Sequence, residues 1–441
     1  MGQFSKQLKN KLNNIISEMA DCHSLFAKNP ESDFTRNRKL NFDTMIKILL
    51  SAGGNSLNKE LYDYFKQKNM TVTASGFVQQ RDKLLPEGLE YLFHEFNRVC
   101  SDSKKYNGYR LFAVDGTVMS YNGSPKENTY MPKSGNGVNQ FHVNALFDIL
   151  NKTYVDAEVQ PKPKANEPMA AWKMMERSAQ FCKCIMIGDR GYGGVNLIEH
   201  INRIPGAEYL IRIKDKLWKE MRELPMTDLD IDIIIKLRTT QTNEDKEAYA
   251  SGEAKWIAGN TDKPYKVGQK KKTKTWDFET PFSLKVRIVR FKITETKWET
   301  VATSLPREVF SSGILKHLYH LRWGIETSFR ELKYAIGVTN FHSRKRDYVL
   351  QEIFARLTMY NFCERITLHV VITQDNNRKW RYQANYTMGI HICRDLFKCI
   401  GDEPPDAEEM ITHYILPIRP NRADRRKVVM KQAVFFTYRV A

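Results

Sequence analysis

Leu318-Tyr319-His320-Leu321-Arg322-Trp323-Gly324-Ile325-Glu326-Thr327-Ser328-Phe329-Arg330-Glu331-Leu332-Lys333 reads as a helix with two unlike sides. Leu318, Leu321, Ile325, Phe329, Leu332 and Ile336 recur at helical spacing and form an apolar stripe. At about 100° per residue, Tyr319, Arg322, Glu326 and Lys333 fall within roughly 60° of one another beside that stripe. One acid flanked by two fixed cations and a phenol is a set able to hold a metal ion and grip phosphates together. Arg330 stands four residues after Glu326, where it either forms an ordinary surface pair or adds a further cation for the same phosphates.

Upstream, the period changes from helix to strand. Arg110 to Val114 is apolar and ends in Asp115-Gly116-Thr117. Val138 to Leu150 and Thr153 to Gln160 alternate around Asn151-Lys152, which suits a hairpin. A Pro-rich connection leads to a helix from about Pro168 to Phe181. The short strand Ile185-Met186-Ile187 then ends in Gly188-Asp189-Arg190-Gly191-Tyr192, and a helix (Val195 to Ile204) and a strand (Tyr209 to Ile213) follow. Three strands followed by alternating helix and strand is the order of a ribonuclease H-like α/β fold. In that fold the first and fourth strands are neighbours, so Asp115 and Asp189, closing those strands, could meet. Each Asp-Gly or Asp-Arg-Gly taken alone is an ordinary strand end. Three acids in this order, the third inside the helix pattern, are not.

Further out the chain is less regular. Residues 1–105 read as helices. Asn41 to Ala52 is apolar at helical spacing, Ser56 suits the N-cap of Leu57 to Phe65, and Thr73 suits the cap of Ala74 to Leu84. The last of these carries Ser75, Gln79, Gln80, Arg81 and Lys83. That fits either a helix-turn-helix reader of DNA or a plain helical bundle. Residues 106–214 form the first part of the α/β core, and 215–305 a β-rich insertion with strands at Phe282 to Ile293 and Glu299 to Thr303. The insertion also holds the basic run Lys270-Lys271-Lys272-Thr273-Lys274. Residues 306–372 return to the core with a second helix at about Val349 to Ile372, and 373–441 make a basic helical region.

The bulk numbers bound the partner. The 441 residues carry 69 Lys and Arg against 51 Asp and Glu, a net charge of +18. That balance calls for a polyanion, nucleic acid or an anionic membrane. No apolar run approaches the ~18 residues of a spanning helix, and the start has no signal-peptide core. Seven scattered cysteines without a C-x-x-C pair suit a reduced, cytoplasmic protein.

Tyr-x2-Arg-x3-Glu-x6-Lys, Val114-Asp115-Gly116-Thr117 and Gly188-Asp189-Arg190-Gly191-Tyr192 together resemble the cut-and-paste DDE transposases of bacterial insertion sequences that carry the Tyr-Arg-Glu-Lys signature. The resemblance runs from about Arg110 to Ile372. It implies that Asp115, Asp189 and Glu326 form a catalytic triad holding two Mg²⁺ (or Mn²⁺), since clustered carboxylates suit such a pair. It also implies that Tyr319, Arg322, Arg330 and Lys333 contact phosphates of the transposon end.

The partners implied are double-stranded DNA, in the form of inverted-repeat ends and a target, and a second copy of the chain on paired ends in the nucleoid. The implied course is nicking, hairpin formation, hairpin opening and strand transfer. In some relatives a tryptophan on the insertion's last strand stacks on a flipped base. Trp298 is the candidate here, although its distance to Thr303-Ser304 is one residue longer, and one residue reverses the face of a strand. A ribonuclease H-like nuclease that does not integrate DNA would share the acids without needing the cation register. A transposase-derived DNA-binding regulator would not need the acids at all.

Overall fold

The computed structural model describes residues 2–419 except 37, 67–70, 101–103, 124–128, 131–137, most of 238–281, 338–340, 375–378 and 400–405. The lysine run at 270–274 and the basic residues from 420 onward lie outside the described residues.

Five helices come first: α1 (Gln3–Asp21), α2 (Phe42–Ser51), α3 (Leu57–Phe65), α4 (Ala74–Arg81) and α5 (Pro86–Val99). Their starts follow the sequence closely. Asn41, Ser56 and Thr73 each accept a backbone N–H from the first turn of α2, α3 and α4, supplying a partner that the helix itself cannot. A mixed sheet follows, built from β1 (Arg110–Tyr121), β2 (Thr129–Tyr130), β3 (Val138–Asp148), β4 (Thr153–Pro161), β5 (Cys184–Gly188), β6 (Ala207–Ile213), β7 (Leu229–Leu237), β8 (Ala254–Lys255), β9 (Phe282–Thr294) and β10 (Lys297–Thr303). Helices α6 (Glu167–Ala179) and α7 (Val195–Asn202) lie between its strands in sequence. After the sheet come α8 (Ser312–Leu321), α9 (Trp323–Tyr334), α10 (Arg346–His369), α11 (Tyr386–Lys398) and α12 (Ala407–His413).

The strand order across the sheet is β2-β3-β1-β5-β6-β10-β9-β7-β8, with β4 on the other side of β3. Strands β1, β3 and β4 run antiparallel, whereas β5 is parallel to both β1 and β6. Strands β9 and β10 add to β6 antiparallel, so segment 215–305 continues the central sheet rather than standing apart from it. All eleven residues of β3 are buried, as expected where both faces of a strand are covered. One face packs on α6 and α7 through Phe112, Val114, Met174, Met186 and Ile198. The other packs on the amino-terminal helices, α9 and α10 through Ala113, Ala145, Phe147, Ile325, Leu332 and Leu357.

Three expectations from the sequence need correction. Asp115 does not close its strand: β1 runs on to Tyr121, paired with β3 from Phe112 to Tyr121. Asp115-Gly116 therefore stays extended, paired with Ala145 and Asn144 of β3. Second, the signature stretch is not one helix. It is interrupted at Arg322 into α8 and α9, where the amides of Arg322 and Ile325 bond to Tyr319 O and Arg322 O, three residues back instead of four. Third, the carboxyl-terminal region is not helical throughout, because β11 (Arg381–Ala384) and β12 (Ile415–Ile418) form a separate antiparallel pair.

Candidate active site

Strand pairing brings the first two acids together. Parallel β1 and β5 pair Ala113 with Ile187, and two residues further along each chain lie Asp115 and Asp189. Strand β5 ends there, and Asp189 turns the chain into a short 3₁₀ turn by accepting the Gly191 N–H at 2.8 Å. Ile325 and Leu332 anchor α9 in the core across β1, leaving Glu326 on the side that faces Asp115.

Arg322 ties the two elements together. Its Nη2 donates to Glu326 Oε1 at 2.7 Å, and its Nη1 lies 3.5 Å from Asp115 Oδ2. Arg322 is buried, yet its Nε and Nη1 have no hydrogen-bond partner among the described residues. Burial pushes the Asp115 carboxyl up to about 6, against the Gly116 N–H and Arg322, which pull it down; Asp189 and Glu326 raise it further. The three acids thus share one electrostatic neighbourhood. Among the described residues no three acidic, histidine or cysteine side chains sit close enough to hold an ion as they stand. The guanidinium of Arg322 occupies the space between Asp115 and Glu326. The donor set still fits a divalent ion by its chemistry. Its ligands are all oxygen, and burial with the nearby Asp189 and Glu326 already disfavours the negative charge of Asp115, which a cation would relieve.

The remaining members of the polar stripe separate. Tyr319 is buried among Leu111, Ile187, Phe310 and Leu318, and its hydroxyl is raised above the usual phenol range first by burial. Lys333 is half-buried, and loss of water lowers its ammonium below the usual range. Arg330 is exposed, and the partner of Glu326 is Arg322 on its amino-terminal side. Trp298 is half-buried at the start of β10, next to a register shift at Lys297. It lines a cavity of about 940 Å³ that also receives Arg190, Arg212, Tyr319, Arg322 and Trp323. That cavity wall is basic and aromatic, and Arg212 on it is paired with Glu299 at 2.8 Å.

Several neighbours were not read from the sequence. Trp323 is 48% exposed and holds its ring 5.4 Å from the Arg322 guanidinium, but as an apolar residue beside an apolar stripe it carried no signal. His142 and Glu167 approach the acids from the α6 side, and only the fold brings them there, beside the Tyr192 of the Asp189 motif. Arg81, counted with the exposed polar residues of α4, turns inward and pairs with Glu352 at 3.0 Å.

The transposase DDE domain family matches residues 106–362, more than half of the chain, and the chain belongs to that family. It is similar to the putative transposase InsL for insertion sequence element IS186A of Escherichia coli (strain K12), with 24% identity over 264 residues, 57% of this chain and 64% of the relative. The transposase for insertion sequence element IS421 of Escherichia coli matches with the same identity and coverage. The chain thus spans less than two thirds of the length of these relatives. A solved structure of a piggyBac transposase synaptic complex with hairpin DNA aligns over 90% of this chain and 78% of its own, with 9% identity and a TM-score of 0.46. No helix among the described residues is long and apolar enough to cross a membrane.

Proposed function

We propose that this protein is a DNA transposase that cuts the ends of an insertion sequence and joins them to a target. The observation that carries the reading is the meeting of Asp115, Asp189 and Glu326 in one shared field, on two adjacent strands and a crossing helix. The order β4-β3-β1-β5-β6, antiparallel through the first three and parallel through the last, supports a ribonuclease H-like core. Family membership supports DNA as the substrate, as does the +18 charge.

Asp115, Asp189 and Glu326 would hold two Mg²⁺ or Mn²⁺. Such ions activate the attacking oxygen and neutralise the leaving one in an in-line displacement. The residues prepare that chemistry. Glu326 and Asp115 are kept apart from solvent cations by Arg322, which is released toward a DNA phosphate once their charge is met otherwise. Its Nε and Nη1 keep N–H groups for phosphate oxygens, and release of Nη2 from Glu326 would complete a bidentate fork. Water attack at the element's end leaves a 3′-hydroxyl and a 5′-phosphate. Attack by that hydroxyl on the opposite strand breaks one phosphodiester and forms another, closing a hairpin without any external energy source. Tyr319, Lys333 and Arg330 then serve the end phosphates, and Trp298 the base at the hairpin tip. A homodimer on paired ends and residence on the nucleoid belong to the same proposal.

The test is cleavage of the element's own ends. Asp115→Asn, Asp189→Asn and Glu326→Gln should each lower cleavage on the order of 10³-fold or more, as loss of several kcal/mol of charge stabilisation requires, while end binding stays largely intact. A Glu326→Gln protein cutting at the wild-type rate would falsify the triad.

A further inference from the structure

On the face of the sheet opposite α9, His142 packs so closely on β1 that a Cβ at Gly116 would lie 2.2 Å from its Nε2. This is what the glycine after Asp115 is for: it admits an imidazole, not a turn. Lys162 Nζ stands 3.2 Å from His142 Nδ1. An ammonium has protons only to give, so Nδ1 accepts and Nε2 carries the ring proton. That nitrogen lies 2.9 Å from Glu167 Oε1, close but oblique. Glu167 is the first residue of α6, positioned by the Asn166 cap, whose side chain accepts the Met169 N–H. The His142 contact is the largest influence on its carboxyl and holds it below the usual range, against partial burial.

The other Glu167 oxygen points toward the acids. A Cβ at Gly191 would lie 3.1 Å from Asp189 Oδ1 and 3.6 Å from Glu167 Oε2. The two carboxylates therefore face one another across a position that carries no side chain. A second observation marks the same place. The Tyr192 side chain is 1% exposed, and its hydroxyl has no partner among the described residues. Beyond the dominant effect of burial, the charges it senses are Glu167, Asp115 and Asp189, in that order, and then Arg322. A buried hydroxyl in such a field is short of an acceptor or a bound water, which a hydrated ion among those carboxylates would supply.

We infer that Glu167 is a fourth carboxylate of the metal site, placed beside Asp189 by the start of α6 and oriented by His142. The inference rests on the metal-dependent reading above. It gives the site acids on both faces of the sheet, Glu326 on one and Glu167 on the other, with Asp115 and Asp189 between them.

The experiment titrates the full chain with Mn²⁺ alone, following free Mn²⁺ by electron paramagnetic resonance, with thermal melts alongside. Glu167→Gln keeps the shape of the side chain and an oxygen beside His142 but loses the charge. It should weaken Mn²⁺ binding about tenfold or more with little change in melting temperature, whereas Glu167→Asp should stay nearer the wild type. Wild-type Mn²⁺ affinity in Glu167→Gln, with Asp189→Asn defective, overturns the inference and leaves the transposase reading standing. Equal losses in Glu167→Gln and Glu167→Asp also overturn it, since charge is then not the cause. If Asp189→Asn itself binds Mn²⁺ like the wild type, the underlying metal reading fails, and this inference with it.

Discussion

Arg81 and Arg322 are both buried beside acids, and they differ in how fully their protons are taken up. Arg81 Nε donates to Gln351 Oε1 at 2.8 Å, Nη1 to Glu352 Oε1 at 3.0 Å and Nη2 to Tyr348 O at 2.6 Å. Glu352 in turn accepts the backbone N–H of His342 at 3.0 Å and lies 3.9 Å from Arg356. Burial alone would raise the Glu352 carboxyl, but Arg81, His342 and Arg356 hold it well below the usual range. Arg322, by contrast, makes one good bond to Glu326 and one long approach to Asp115, and leaves Nε and Nη1 unmatched. A buried arginine with all three nitrogens matched fixes a fold. One left incomplete costs free energy for as long as nothing else binds. The Arg81 network clamps α4 to α10, while the Arg322 network stays open beside β1, where β5 ends.

The largest effect expected from this contrast is on stability. Arg81→Ala leaves Glu352 buried without its main partner, which costs roughly 3–5 kcal/mol. Arg322→Ala removes a cation whose acids are partly open to water, with side-chain exposures of 26% for Asp115 and 35% for Glu326. It should cost about 1 kcal/mol or less and act instead on end cleavage. Arg322→Lys should already be defective in hairpin formation, because a point charge cannot replace a planar fork. Urea denaturation of both variants, beside hairpin yields on pre-nicked ends, decides the matter. Equal losses of stability would erase the distinction between a clamp and a site.

A third buried group sharpens the comparison. Glu364 on α10 lines a separate cavity of about 460 Å³ with Lys152, Glu331, Tyr360 and Tyr386. Its Oε2 has no partner among the described residues. Burial is the largest influence on its carboxyl and pushes it up to about 8 from an ordinary 4.5, only partly offset by Lys152. Between those two values the folded chain keeps a proton that the unfolded chain has lost. Stability from this group must therefore fall as pH rises from about 4.5 to 8, and stay low above that. Glu364→Gln should flatten that part of the profile and be roughly 2–4 kcal/mol more stable than the wild type at pH 9, with the gap closing toward pH 5. An unchanged pH profile of chemical denaturation in the variant would rule this out.

What could be read in the sequence was local. The caps at Ser56 and Thr73, the hairpin around Asn151-Lys152 and the strand before Asp189 are short-range patterns, and the folded chain contains them. The three acids could be listed because each sits in a motif of its own. What stayed hidden depends on partners far along the chain. Asp115-Gly116 looks like a turn until His142, twenty-six residues later, is packed against it. Arg81 looks like a surface cation until α10 arrives with Glu352. Periodicity placed Tyr319 and Arg322 on one polar stripe, but the break at Arg322 buries both. Helix α10 is buried on nearly every side, Gln351, Glu352, Arg356 and Glu364 included, and no periodic signal separates such a helix's core face from its surface.

The smallest effect expected concerns two cations on α9. Arg330 is exposed, so a phosphate that approaches it exchanges one solvated contact for another. Lys333 is half-buried, and its ammonium has already lost part of its water at the cost of a lowered proton affinity. A phosphate reaching Lys333 meets a charge with less hydration to remove, so the same contact stabilises the complex more. On the transposase reading, Lys333→Ala should reduce the slope of log affinity against log salt by about one, uniformly across DNA sequences. Arg330→Ala should reduce it by less, and Lys333→Arg should stay close to the wild type. The measurement is binding of labelled end DNA at a series of salt concentrations, with melts to exclude a folding defect. A slope unchanged by Lys333→Ala would take Lys333 off the DNA, and a larger change from Arg330→Ala would put the phosphate path on the outer face of α9, away from Arg322.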